Sequence, residues 1–125
     1  LENRVNDQQP PEEMLTVPAL TLGILEALPE CAQVLEGHAW PDLRAARDLA
    51  CREALGAQIN GVAVGDLAER MLAAAHQGLE RRGKGEEQFL APLWARLEEG
   101  RCPADDAAAV FQRGGVAALV KDRRL

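Results

Sequence analysis

The pattern of apolar and polar positions divides the chain into one short strand and about six helices. Apolar and polar residues alternate over residues 1–7, which places Leu1, Asn3 and Val5 on one face of a strand. The pair Pro10–Pro11 ends this strand, because proline has no N–H group to donate to a sheet ladder. The fold class expected from this pattern is mainly α, with one N-terminal strand.

Six apolar stretches follow the prolines, and prolines, acidic residues and glycines mark their ends. The predicted helices run from Glu12 to Leu28, from Pro29 to Leu35, from Pro41 to Ala54, after Asp66 to Arg82, from Glu86 to Leu97, and from Pro103 to Phe111. Residues 57–65 are the least periodic and are predicted to be a loop, with Gly56 capping the helix before it and Asp66 the helix after it. Residues 113–125 are basic and are predicted to be frayed.

Two of the predicted helices have a clear inward face. In the helix after Asp66, apolar residues recur at the spacing of one helical face. They are Leu67, Met71, Leu72, Ala75 and Leu79. In the next helix, the residues predicted to point inward are Phe89, Leu90, Leu93, Trp94 and Leu97. The sequence therefore predicts one helical core built around the helix that ends at Arg82.

Length and composition limit the classes of function. The 125 residues are enough for one domain, and 47% of them are hydrophobic, although no apolar run reaches the ~18 residues of a membrane span. The net charge of −6 argues against a general nucleic-acid binder, since phosphate recognition needs a basic face. Because only 3% of the residues are aromatic and none is tyrosine, the chain also lacks stacking platforms for bases.

The three cysteines, Cys31, Cys51 and Cys102, are odd in number and far apart in the sequence. This spacing fits neither a zinc site nor a disulfide framework, so we expect three free structural thiols. Cys102 directly precedes Pro103 and is predicted to be the N-cap of the last helix. No signal peptide opens the chain, and a reduced cytoplasm is the expected location.

Candidate chemistry lies on the polar face of the strand, where Glu2 and Arg4 are two residues apart. Their Cα atoms would be about 6.5–7 Å apart, so that the carboxylate could bind Mg²⁺ while the guanidinium neutralises phosphoryl oxygens. The alternative is a cross-strand ion pair on a solvated face, and spacing alone favours that alternative.

Other polar residues have simpler interpretations. Arg81 and Arg82 could bind an anion, but cations at a helix C-terminus are favoured by the helix dipole. His38 and His76 have no partner at metal-ligand spacing and are expected at the surface or half-buried. The pair Gly114–Gly115 is expected to be a hinge or helix break, because no phosphate-loop context surrounds it.

The order Glu2-x-Arg4-x-x-Asp7-x-x-Pro10 resembles the last-strand motif of the glutamate–cysteine ligase superfamily. The resemblance continues in family order to about residue 111, with a variable middle at roughly 29–60. Its further matches are Pro18-Ala19, Gly23, the run from Gly78 to Gly83, Phe89-Leu90 and the run from Gly100 to Ala104. In the last of these, Cys102 stands where relatives usually have threonine. Only the strand motif is tied to chemistry.

The resemblance implies that residues 1–125 are the C-terminal helical portion of a single catalytic domain. Residues 1–7 would be the last strand of its antiparallel sheet, since one strand cannot form a sheet alone. The fold would then be the C-terminal part of an α+β ligase, and the missing N-terminal part of the same enzyme would be its partner. The expected enzyme uses no nucleic acid and no membrane.

The implied reaction is ATP-dependent ligation of glutamate and cysteine to γ-glutamylcysteine through a γ-glutamyl phosphate, with ATP and Mg²⁺ as cofactors. By resemblance, Glu2 is a Mg²⁺ ligand and Arg4 contacts the phosphoryl groups of ATP or of the acyl phosphate. Asp7 is expected to hold the turn after the strand. Plant members carry a redox-linked cysteine where this chain has Leu15, so their disulfide cannot form here.

Two alternatives to this function stay open at the level of sequence. One is a related carboxylate–amine ligase, such as the enzyme of the ergothioneine pathway, which differs in pathway more than in reaction. The other is a helical interaction module that has lost catalysis. An intact pair of Glu2 and Arg4 favours an enzyme, whereas a parent gene that lacks other acidic metal ligands would favour the module. One strand cannot enclose ATP, glutamate and cysteine. We therefore expect residues 1–125 alone to be inactive.

Overall fold

The structure, a computed structural model, describes residues 9–123, and that part of the chain is mainly helical. Its helices are α1 (Thr16–Glu26), α2 (Leu28–Val34), α3 (Trp40–Glu53), α4 (Val64–Arg82), α5 (Ala91–Glu99) and α6 (Pro103–Asp122), and short 3-10 helices lie at Pro11–Glu13, Ala54–Gly56 and Glu86–Leu90. The described residues confirm the prediction of a mainly α chain with about six helices. The strand predicted over residues 1–7 lies outside them.

The segment predicted to be a loop, residues 57–65, contains a β-hairpin, so the loop prediction was wrong. Its strands are β1 (Gln58–Ile59) and β2 (Val62–Ala63), which pair antiparallel. The turn residues Asn60 and Gly61 both have positive φ, 51° and 81°, as the favoured two-residue hairpin turn requires. The Asn60 amide also donates to the Asp42 carboxylate over 3.2 Å, which joins the turn to the start of α3. Strands of two residues are too short for alternation to be seen in the sequence.

The hairpin also shifts the helix ends that the sequence predicted beside it. Gly56 does not cap α3, because Ala54 adopts positive φ (49°) at that helix end and a 3-10 turn follows. Asp66 is not the N-cap of α4, since the helix already begins at Val64, whose N–H donates to the Ala57 carbonyl over 2.7 Å. As an acidic residue in the first turn, Asp66 still suits the helix dipole.

The end of the chain differs from the prediction of a frayed tail. Helix α6 runs to Asp122, although Gly114 and Gly115 leave helical geometry and break it into two segments. The break itself was predicted. The run from Val116 to Val120 restarts the helix because its alanines and leucine are good helix formers. No residue of Pro103–Asp122 is buried, and Phe111 is 50% exposed.

The turn before α5 explains a further difference. Glu86 begins a 3-10 helix rather than an α-helix, and this tighter coil has three residues per turn. Leu90 is fully buried, as predicted, whereas Phe89 is 36% exposed and does not point fully inward. The glycines predicted to end helices do so at Gly83 and Gly100, both in the left-handed conformation.

Helices α1 and α2 meet at a sharp bend. The chain bends by 93° between the segments Pro11–Glu26 and Leu28–Val34. Pro29 lies in the first turn of α2, where its missing N–H is not needed. Within residues 9–123, no single helix is long and apolar enough to cross a membrane; this bent pair passes that test by length and composition alone.

The core is organised by the contact of α1 with α4. A Cβ placed on Gly78 would lie 2.7 Å from the Gly23 carbonyl oxygen and 3.1 Å from the Ala27 Cβ, while one on Gly23 would lie 2.6 Å from the Ala75 carbonyl oxygen. The two backbones thus touch directly. Around this contact lies the main apolar cluster, formed by Ala19, Leu72, Leu79 and Leu90 with Leu20, Leu22, Leu93, Trp94 and Leu97 packed against it.

A second cluster lies under the hairpin. It is formed by Val34, Ala46, Ile59 and Leu67, with Leu43, Val62 and Met71 packed against it. Leu67, Leu72, Ala75 and Leu79 of the predicted α4 stripe are buried, which confirms that face. Helix α4 therefore contributes to both clusters and is the central element of the described fold.

We predict that Gly78→Ala destabilises the protein by about 2 kcal/mol, within the 1–3 kcal/mol typical of overpacking. The atom that the new methyl group meets is a backbone oxygen, which cannot move away as a flexible side chain can. The free energy of unfolding in urea measures this effect. Gly56→Ala is the matched control, because its Cβ would meet nothing within 4 Å. Equal stabilities of the two variants would contradict the backbone contact.

We also predict a pH-dependent contribution from Asp105 at the start of α6. The Cys102 backbone N–H donates to its carboxylate over 2.8 Å, and this bond, with the Cys102 side chain and the nearby Arg101 charge, lowers the pKa of Asp105. A lowered pKa stabilises the folded state above the unfolded value of about 3.9, and the contribution is lost as the pH falls through the folded value. The unfolding midpoints of wild type and Asp105→Asn should therefore differ near neutral pH and converge as the pH falls below the lowered pKa of Asp105 in the folded state. A difference that stays constant with pH would contradict the cap.

Candidate functional site

The predicted site residues Glu2 and Arg4, together with Asp7, lie outside the described residues. Their roles in binding Mg²⁺ and phosphoryl groups therefore stay predictions. The described chain begins at Gln9, two residues after Asp7, and passes through Pro10 and Pro11 into α1. The structure describes the contacts of this entry segment, which follows the predicted site residues in the sequence.

Arg96 of α5 holds the entry segment. Its Nη1 donates to the Oε1 of Gln9 over 3.2 Å, and its Nη2 forms an ion pair with the Glu13 carboxylate. The side chains of Arg96 and Glu13 are only 20% and 24% exposed, so that solvent screens this pair less than a surface pair. Arg96 could not be predicted as a partner of Glu13, because 83 residues separate the two and no local pattern in the sequence signals so distant a pair.

Arg81 and Arg82 form a second set of ion pairs at the other end of α1. Arg82 lies 3.1 Å from the Glu86 carboxylate and 2.7 Å from that of Glu26. The hydrogen bonds to Glu86 and then to Glu26 raise the pKa of its guanidinium. Arg81 lies 3.1 Å from the Glu30 carboxylate and donates to the Glu26 carbonyl oxygen over 3.1 Å. Because both guanidinium groups already form ion pairs with carboxylates, the structure favours a structural role for these arginines over the binding of an anion.

Two cavities open on the surface of α4, and both are lined mainly by apolar side chains. The first, of about 290 Å³, lies between α1, α4 and α5, with Arg96, Arg101 and Cys102 among its lining residues. The second, of about 270 Å³, lies between α3, the hairpin and α4. Arg101 is itself paired with Asp106. Neither cavity offers the grouped carboxylates that a metal-bound triphosphate requires.

The histidines and cysteines do not form a metal centre among residues 9–123, where no group of three potential ligands comes together. His76 contacts Trp94 edge-on at 6.3 Å between ring centres, and its Nε2 lies 3.6 Å from the Glu80 carboxylate. All three cysteines are free thiols, as predicted. Cys31 is buried, and this burial, helped by the adjacent Glu30 charge, raises the pKa of its thiol, which makes it less reactive.

Residues 1–122 match the model of glutamate-cysteine ligase family 2 (GCS2). The chain belongs to this family. The match includes the predicted strand and every described helix, so membership rests on nearly the whole sequence. No curated protein and no solved structure matches the chain.

The contacts of the run from Gly78 to Gly83 show that its residues have structural roles. Gly78 allows the backbone contact with α1, Leu79 is fully buried, and Arg82 pairs with the end of α1. Gly83 then ends α4 at a φ of 63°. This run of the GCS2 chain therefore builds the α1–α4 contact, and it brings no cluster of potential metal ligands together among the described residues.

We predict that Arg82→Gln lowers the unfolding temperature, because it removes ion pairs to two carboxylates on different segments. The difference from wild type should shrink in 1 M NaCl. At that concentration the Debye length is about 3 Å, so salt weakens the attraction between partly exposed charges. Arg70→Gln is the matched control, since Arg70 lies in the same helix, is exposed and forms no ion pair with another described residue. An unchanged unfolding temperature for Arg82→Gln would contradict the assigned role.

Proposed function

We propose that the protein acts in ATP-dependent ligation of glutamate and cysteine, which forms γ-glutamylcysteine in the cytoplasm. The observation that carries the proposal is the family match over residues 1–122, which includes the segment with Glu2 and Arg4. The described residues support a division of labour in which the helices form a scaffold and the segment with Glu2 and Arg4 carries the chemistry. Their cavities are apolar, and the arginines at the ends of α1 are paired with carboxylates.

The proposed reaction has two steps. An oxygen of the glutamate γ-carboxylate attacks the γ-phosphorus of ATP, and the bond to ADP breaks as the acyl phosphate forms. The cysteine amine then attacks the acyl carbon, the new C–N bond forms, and inorganic phosphate leaves while the amine loses a proton. Both steps move negative charge between oxygens, so catalysis depends on positioning and on fixed positive charge.

Glu2 and Arg4 have the chemistry that these steps require. A carboxylate is a hard oxygen ligand suited to Mg²⁺, so Glu2 would hold the metal ion. The planar guanidinium of Arg4 can donate two parallel hydrogen bonds to a phosphoryl group. When bound, Mg²⁺ neutralises charge on the phosphates. The resemblance of the strand motif to that of the family implies that Glu2 is the metal ligand, and we propose it in that role.

The same proposal accounts for the expected inactivity of residues 1–125 alone. One carboxylate and one guanidinium cannot surround ATP, glutamate and cysteine, and the described cavities do not supply the missing polar groups. The first test is product formation with ATP, Mg²⁺, glutamate and cysteine. It compares residues 1–125 with the protein expressed from the whole gene. Turnover by residues 1–125 alone would contradict the division of labour.

The test of the site uses Arg4→Lys and Glu2→Gln in the protein expressed from the whole gene. Arg4→Lys keeps the charge but loses the planar fork, and it should lower kcat roughly 10²-fold. Glu2→Gln removes an anionic ligand, so it should lower kcat and raise the Mg²⁺ concentration at half-maximal rate. A surface ion pair would instead change only stability, by about 1 kcal/mol or less. Wild-type rates and metal dependence in both variants would contradict the catalytic assignment.

A further inference from the structure

The turn of the β-hairpin places a glycine directly after an asparagine. Of the three asparagines in the sequence, only Asn60 precedes a glycine. Because glycine has no side chain, its backbone nitrogen is the one that the side chain of the preceding asparagine can approach with the least hindrance. Asn60 and Gly61 are both exposed, so water reaches the turn from solvent. The turn therefore has the residues and the access that loss of the side-chain amide requires.

The reaction that these two residues permit is deamidation, and water is its only co-reactant. The Gly61 backbone nitrogen attacks Cγ of Asn60, and a C–N bond forms that closes a succinimide ring. The bond from Cγ to Nδ2 breaks, and ammonia leaves with the proton of the Gly61 nitrogen. Water then adds to one of the ring carbonyls, which gives either aspartate or isoaspartate at position 60.

Two features of the structure hold Asn60 away from this reaction. Its Nδ2 donates to Oδ2 of Asp42 over 3.2 Å, so the amide group is directed toward the start of α3. Its backbone is fixed by the pairing of β1 with β2, in which Ile59 lies opposite Val62. Attack by Gly61 requires the Asn60 side chain to turn toward the following nitrogen, and the bond to Asp42 opposes that rotation.

Deamidation would change the turn in one of two ways. An aspartate at position 60 places a second carboxylate where the amide contacts Asp42, and like charges at that distance repel. An isoaspartate adds a carbon atom to the backbone, although the register of a hairpin is fixed by its turn type and length. Both products act on the second apolar cluster, because the strands carry its members Ile59 and Val62.

We propose that Asn60 is a site of spontaneous deamidation and that its hydrogen bond to Asp42 slows the reaction. A carboxylate acceptor makes this bond stronger than a bond between neutral groups. Deamidation breaks the bond, separates the turn from the start of α3 and loosens the second cluster. This inference concerns the hairpin and is independent of the proposed function.

The test follows Asn60 by peptide mapping and mass spectrometry of the protein expressed from the whole gene, kept folded at neutral pH for several weeks. The peptide with Asn60 should gain the mass difference between an amide and a carboxyl group, and an isoaspartyl methyltransferase should label part of it. Asn60→Gly is the matched control, because two glycines suit the same turn but offer no amide to lose. No mass gain at Asn60 in wild type or in Asp42→Ala would contradict the site.

Asp42→Ala tests the role of the hydrogen bond. At a temperature where all variants are folded, it should raise the rate of deamidation about 3-fold to 10-fold, as expected for the loss of one hydrogen bond. Asp48→Ala is its matched control, since Asp48 is an exposed carboxylate of the same helix and pairs with Arg47. Its rate should stay within about twofold of wild type. Equal rates in Asp42→Ala and Asp48→Ala would contradict the slowing role of the bond.

Asn60→Asp tests the consequence for stability without the slow reaction. This variant should unfold at a lower temperature than Asn60→Gly, because only the aspartate sets a carboxylate against Asp42. The difference between the two variants should shrink when each is combined with Asp42→Ala, since the repelling partner is then gone. If Asn60→Asp is as stable as Asn60→Gly, the turn tolerates the product and the inferred loosening of the second cluster is wrong.

Discussion

The close approach of α1 and α4 is the constraint on which the rest of the described structure depends. At Gly23 and Gly78 the backbones approach so closely that a methyl group on either glycine would lie under 3 Å from a carbonyl oxygen. This proximity brings Ala19, Leu72 and Leu79 into one cluster. The contact is short-range and steric, so it sets the distance between the helices more strictly than apolar packing alone could.

Charged contacts at both ends of α1 complete what the glycines begin. Before the helix, Glu13 pairs with Arg96 of α5, and at its last residue Glu26 pairs with Arg82 of α4. The residues from Met14 to Leu25 carry no charge, so these terminal carboxylates are the nearest ionic groups by which α1 can be oriented. Sterics therefore fix the middle of the helix, and ion pairs fix its direction.

This arrangement is compatible with the proposed division of labour between the segment with Glu2 and Arg4 and the helices. Positioning of charge is the main requirement of phosphoryl and acyl transfer. In the proposed enzyme, the segment with Glu2 and Arg4 continues through two prolines into a helix that is held at its middle and at both ends. The apolar cavities and the paired arginines fit a supporting role for the helices.

Local signals in the sequence determined the helices and most of their ends. Proline and glycine act on neighbouring φ angles, so Pro29, Gly83 and Gly100 could be interpreted without knowledge of the fold. The stripe of α4 and the capping role of Cys102 followed in the same way. The short hairpin at Asn60–Gly61 was missed because two-residue strands show no alternation.

Only the tertiary structure decided which distant residues meet. Nothing near Gly23 in the sequence indicates that Gly78 lies against it, and the pair of Glu13 with Arg96 joins segments 83 residues apart. The same holds for Arg82, whose position at a helix end was predicted but whose partner Glu26 was not. Helix formation depends on residues within about four positions of each other, so the sequence pattern can predict it. These contacts depend on how whole helices pack, which the pattern does not show.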